Sequence, residues 1–164
     1  AFLEKYQKYN GNCKCHMIGT LQPNKVKYII DKVDLIHSVD SYSLIKEIEK
    51  QANKHNLVMK VLIQVNISKE ESKHGFKVEE IEEVFDTLKN YPHIEVKGLM
   101  MMAPNIEAEK TREYFKLTQD LFNQLKIKYP EYSLTELSMG MSNDYKIALE
   151  YGATMVRIGS SLFK

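Results

Sequence analysis

Short apolar runs alternate along the chain with longer stretches in which apolar residues recur every three or four positions. Lys60-Val-Leu-Ile-Gln-Val-Asn66 is the clearest run. It is apolar almost throughout, as strands covered on both faces of a parallel sheet are. Residues 16–19, 35–39, 94–101, 134–138 and 154–158 read as five more strands, with Gly98 a candidate break in the third of these. Helical spacing separates them. Val26, Ile29, Ile30 and Val33 share one face over 24–33, and Leu44, Ile45, Ile48 and Ala52 share another behind a Ser41 N-cap. Val78, Ile81, Val84, Phe85 and Leu88 form the third stripe. Tyr114, Phe115, Thr118, Leu121, Phe122 and Leu125 form the fourth, over 107–128. A last helix over 143–151 closes at Gly152, which tolerates the positive φ of a C′ position. Residues 1–10 resemble the end of a further amphipathic helix.

Strict strand–helix alternation argues for a parallel sheet, because each crossover helix returns the chain to the same direction. Connections are short and no linker interrupts them, so residues 1–164 read as one α/β domain. Two architectures fit: a doubly wound open sheet, or part of a (β/α)8 barrel. No Gly-rich dinucleotide fingerprint follows the first strand, which weighs against the first.

Composition narrows the function classes. Hydrophobic residues make up 43% and charged residues 27%, so disorder is excluded. A net charge of +1 offers no basic excess for nucleic acid. No apolar run is long enough for a membrane span, and no signal-peptide pattern opens the chain, so a cytoplasmic location is expected. Cys13 and Cys15 are too close for an ordinary disulfide, and with His16 they match no zinc spacing. Asn66-Ile67-Ser68 fits a glycosylation acceptor pattern, which chance explains.

In α/β folds ligands gather beyond the carboxyl ends of strands. Two segments there read as halves of one phosphate site. Ser138-Met139-Gly140-Met141-Ser142 joins a strand to a helix, whose N-terminus would stand behind it. Arg157-Ile158-Gly159-Ser160-Ser161 brings a glycine that permits close backbone approach and two hydroxyls. The plainer alternatives are that Ser142 is a helix N-cap and Gly159 a turn. Arg157 lies within an apolar strand and needs either an ion-pair partner or a ligand. Met100, Met101 and Met102 read as core, His16 and His37 as satisfied core histidines, and the loop over 69–73 as a solvated surface. No nucleophile–base pair is evident.

The motifs, taken in order, carry a resemblance. They are His16-Met-Ile-Gly-Thr-Leu-Gln-Pro-Asn-Lys25, His37-Ser-Val-Asp-Ser41, Val61-Leu-Ile-Gln-Val-Asn-Ile67 with Glu71-Ser-Lys73 and Gly75-Phe76, Gly98-Leu-Met-Met-Met-Ala-Pro104, Leu137-Ser-Met-Gly-Met-Ser142 and Gly152-Ala-Thr-Met-Val-Arg-Ile-Gly159. Together they resemble the YggS/PROSC family of pyridoxal phosphate homeostasis proteins. The resemblance implies a (β/α)8 TIM-type barrel of the alanine racemase N-terminal domain type. It implies pyridoxal 5′-phosphate (PLP) as cofactor, bound without an established reaction, in a monomeric parent that serves PLP-dependent apoenzymes. It sets the PLP phosphate against Ser138, Gly159 and Ser160, and the pyridine nitrogen against Arg157. Asn66 and Met141 become pocket residues, and His16 borders the pocket. The lysine that the family joins to PLP lies on a strand ahead of the His-Met-Ile-Gly motif, and a Phe-Gly-Glu-Asn motif also precedes it. Neither is in this chain. The expectation is therefore a barrel lacking its first two strands, roughly 60 residues of a fold that averages about 250. The alternatives are a PLP-dependent amino-acid racemase or decarboxylase barrel, or a barrel for another phosphorylated metabolite.

Overall fold

The computed structural model describes residues 2–71 and 74–162. Ser72 and Lys73 of the Glu71-Ser-Lys73 motif lie outside the described residues. The strands are β1 (His16–Met17), β2 (Leu35–Val39), β3 (Met59–Asn66), β4 (Phe76–Lys77), β5 (Ile94–Met100), β6 (Glu136–Met141) and β7 (Met155–Arg157). The helices are α1 (Phe2–Gln7), α2 (Val26–Ile29), α3 (Tyr42–Lys54), α4 (Ile81–Leu88), α5 (Arg112–Lys128) and α6 (Tyr145–Glu150). Single 3₁₀ turns lead into α2, α4 and α5, which shortens each against its sequence pattern. Ser41 caps α3 as expected, its Oγ accepting the Leu44 N–H at 3.2 Å. No described helix is long and apolar enough to cross a membrane.

The main sheet runs β1-β2-β3-β5-β6-β7, and every pairing is parallel. Apart from β4, each strand lies beside its predecessor. A doubly wound sheet would reverse direction part-way, so this singly wound order is that of a half-barrel. β4 pairs only with β3 and was not legible as a strand. Gly98 does not break β5. It marks a register shift against β3, and its φ of +156 is one that side chains rarely adopt. A Cβ there would lie 1.6 Å from the Glu136 carbonyl oxygen, so only glycine lets β5 and β6 close up.

The strands are apolar on both faces because each face has its own core. Ile36, Val61, Ile63, Leu99 and Leu137 pack with the helices in the large cluster. Leu35, Leu62 and Met100 form a separate small cluster with Met155 on the other face. Along that inner face, two residues further along their strands, stand His37, Gln64 and Arg157, and beside them Ser138 of β6. All four are buried polar groups.

Candidate functional site

A cavity of about 660 Å³ opens at the carboxyl ends of the strands. Its wall takes Gly19 and Thr20 from beyond β1, Asn66 from the end of β3 and Met102 from beyond β5. It also takes Met141 to Asp144 from the β6–α6 loop, and Arg157, Gly159 and Ser160 from β7. A second space of about 670 Å³ adjoins it along the inner face and shares Met102, Met141, Arg157 and Gly159 with it. Of the seven candidate residues, five line the upper cavity: Asn66, Met141, Arg157, Gly159 and Ser160. His16 lines the adjoining space. Ser138 lines neither, and its side chain is fully buried beneath them.

The two proposed phosphate segments do meet. Ser160 Oγ and Ser142 Oγ are 3.2 Å apart. Ser142 is not the helix cap. α6 begins only at Tyr145, and it is Asp144 Oδ1 that accepts the Met141 N–H, at 2.7 Å. That leaves the Ser142 hydroxyl at the cavity wall. The helix expected behind this loop is six residues long, too short to act as an anion site in its own right. A Cβ at Gly159 would meet nothing within 4 Å, so the protein's own packing does not demand glycine there. Gly159 lines the upper cavity.

Arg157 is the one cation in the wall of the upper cavity among the described residues. It is buried and makes no ion pair among them. Nη1 donates to Ser138 Oγ at 2.7 Å, and Nη2 donates to the Met101 carbonyl at 2.9 Å. Burial lowers its pKa to about 10 against the opposing pull of Asp144, so the guanidinium stays charged at neutral pH. Ser138 Oγ also lies 2.9 Å from His37 Nδ1, and His37 Nε2 lies 3.0 Å from His16 Nδ1. Burial, reinforced by His16 and Arg157, pulls the His37 imidazole down to about 4 and keeps it neutral. Burial also lowers His16.

Asn66 plays a local part as well. Its Nδ2 donates to the Glu70 carbonyl at 2.7 Å, and its Oδ1 accepts from Ser68 at 3.2 Å, so the amide shapes the loop after β3. At the rim His74 Nδ1 faces Asp40 Oδ2 at 3.4 Å, and burial raises the Asp40 carboxyl despite that partner. The three methionines separate. Met100 packs in the inner cluster, Met101 in the outer, and Met102 is 42% exposed at the cavity. His37 is the satisfied core histidine expected from the sequence, 2% exposed and hydrogen-bonded at both ring nitrogens, and what the sequence did not show is that its partner is Ser138 beneath the cavity.

The profile described as the alanine racemase N-terminal domain matches residues 3–164. The pyridoxal phosphate homeostasis protein of Aquifex aeolicus is 45% identical over 164 residues, which cover 99% of this chain and 72% of that protein. The chain belongs to the pyridoxal phosphate homeostasis family. Another family relative, from Haemophilus influenzae, is 35% identical, covering 98% of this chain and 70% of its own. Among solved structures, PipY of Synechococcus elongatus with PLP bound aligns with a TM-score of 0.86 at 30% identity, covering 98% of this chain and 74% of that one. PipY without PLP aligns at 0.92, also at 30% identity, covering 99% and 77%. The alanine racemase of Clostridium difficile shares 14% identity at a TM-score of 0.71, covering 96% of this chain and 41% of its own. At that identity the likeness is one of fold. The pyridoxal phosphate homeostasis family and the alanine racemase barrel thus share the half-barrel seen here.

Proposed function

We propose that this protein binds PLP in the cavity at the carboxyl ends of β3, β5, β6 and β7 and holds it without turning it over. In that role it would act as a cytoplasmic buffer that releases the cofactor to PLP-dependent apoenzymes. The observation that carries this reading is Arg157: a buried cation, held by two neutral acceptors, set in the wall of a cavity. An unpaired buried charge is costly, and an anionic or hydrogen-bond-accepting ligand offsets that cost. PLP fits the donor set. Its phosphate takes hydroxyl donors and open backbone, which Ser142, Ser160 and Gly159 offer. Its pyridine nitrogen accepts a hydrogen bond, and Arg157 can only donate.

When bound, PLP supplies an electron-withdrawing ring and a reactive aldehyde. The chain's own residues hold and orient it. Arg157 cannot pass a proton to the ring nitrogen at neutral pH, which leaves the ring a weaker electron sink than a carboxylate partner would. The relatives are named for pyridoxal phosphate homeostasis, and a carrier suits this arrangement. The half-barrel is read as part of a (β/α)8 barrel closed between β1 and β7, because the chain spans 72% of its Aquifex aeolicus relative. The monomeric state belongs to the same reading.

The test is a PLP titration of the full-length protein followed by absorbance and fluorescence, with amino-acid racemase and decarboxylase assays alongside. Saturable binding without turnover is expected. Turnover of an amino acid would move the assignment to the enzymes of this fold, and absence of PLP binding would refute it.

A further inference from the structure

The polar chain beneath the cavity has a direction. A guanidinium only donates, so Ser138 Oγ must accept from Arg157 Nη1 at 2.7 Å. The single Ser138 proton then has an acceptor 2.9 Å away in His37 Nδ1. A neutral His37 that accepts at Nδ1 carries its proton on Nε2, where His16 Nδ1 stands 3.0 Å away. In this order every group is satisfied. The opposite order, with a proton on His37 Nδ1, would make Ser138 accept twice. Its own proton would then be buried with no acceptor among the described residues, at a cost of about 1–3 kcal/mol.

We propose that Ser138 and His37 are positioning residues for Arg157, and that Ser138 does not touch the phosphate of the ligand. This rests on the PLP reading above. His37 Nδ1 accepts the hydrogen bond of the Ser138 hydroxyl and so turns a lone pair of Ser138 toward the guanidinium. Met101 supplies the second fixed acceptor at 2.9 Å. Two acceptors, one on β6 and one just beyond the end of β5, fix the plane of Arg157, and its remaining N–H groups are left for the ring. The hydroxyls placed for a phosphate are those of Ser142 and Ser160, which line the cavity. Ser138 has no exposed surface and His37 only 2%.

A ligand without the phosphate separates the two roles. The full-length protein and its Ser138→Ala, His37→Asn, His37→Leu and Ser160→Ala variants are titrated with PLP and with pyridoxal, and folding is confirmed by circular dichroism. Ser138→Ala should weaken both ligands by about the same factor, roughly tenfold for one lost charge-assisted hydrogen bond. His37→Leu should do the same. His37→Asn places an amide oxygen near the position of Nδ1 and should restore most of the affinity. Ser160→Ala should weaken PLP and leave pyridoxal nearly unchanged. In the Arg157→Ala background Ser138→Ala should add little.

Loss confined to PLP in Ser138→Ala would make Ser138 a phosphate ligand and overturn the proposal. Unchanged affinity for both ligands would overturn it as well. A readout independent of any ligand is the His37 tautomer, followed by long-range nitrogen–proton spectra of the imidazole at pH 7. The neutral Nε2–H form is expected, and an Nδ1–H form overturns the proposal even if PLP binds as described. If the wild-type protein takes up no PLP, the functional reading fails at that step, before any variant is compared.

Discussion

Acidification should destabilise this protein well above the range where carboxylates titrate. His37 is 2% exposed, and burial together with the positive charge of its neighbours lowers its pKa from 6.5 to about 4. The unfolded chain therefore binds a proton at a pH where the folded chain refuses it. Stability is fully present above about pH 6.5, declines as the pH falls, and levels off below about 4. That fall in pKa corresponds to about 3 kcal/mol of lost stability over the window, a large share of the 5–15 kcal/mol typical of a domain. His16 is lowered too and adds to the loss in the same direction. Asp40 is raised by burial and works the other way, since its protonated form is favoured in the fold. Urea unfolding at a series of pH values between about 7.5 and about 4.5 measures the slope. His37→Asn removes the titrating group and should flatten the curve. A stability that does not change over this window, or a His37→Asn variant that loses stability as steeply as the wild type, would refute the reasoning.

Other perturbations follow from the same geometry. Arg157→Ala should cost about 1–3 kcal/mol of PLP binding, measured by fluorescence titration, while the fold persists; unchanged binding would leave Arg157 a purely structural residue. Gly98→Ala should destabilise by more than about 3 kcal/mol, because its Cβ meets the Glu136 carbonyl backbone and the φ is unfavourable; an unchanged melting temperature would count against the close β5–β6 contact. The 164-residue chain by itself should self-associate, since β1 and β7 are the edges of the sheet among the described residues and Ile18, Met102 and Met141 stand exposed near them; sedimentation showing a stable monomer would falsify this.

The order of strands and helices was legible because it depends on local spacing alone. Period two and continuous apolar runs mark strands, and recurrence at three and four marks helices. Both survive without knowledge of the neighbours. Strand and helix ends moved by a few residues, as with β6, which begins at Glu136 and not at Leu134. β4 was missed because Phe76-Lys77 is too short to show a period and exists only through its pairing with β3. The choice between a doubly wound sheet and a barrel also lay beyond local spacing, since both share one strand–helix rhythm and differ only in which strands adjoin.

The site divides along the same line. Residues beyond the strand ends could be named in advance, because a parallel sheet sends all its carboxyl ends to one rim, and Asn66, Met141, Arg157, Gly159 and Ser160 do gather there. Which hydroxyl faces the cavity was not decided by residue type. Ser138 and Ser142 sit four residues apart in one motif, yet one is buried within β6 and the other stands in the loop beyond it. His37 gained its meaning only from Ser138, 101 residues further along the chain. A hydrogen bond needs its two partners within about 3 Å. The sequence by itself therefore settled which groups were available and which elements carried them, and the winding of the sheet settled which of them could touch.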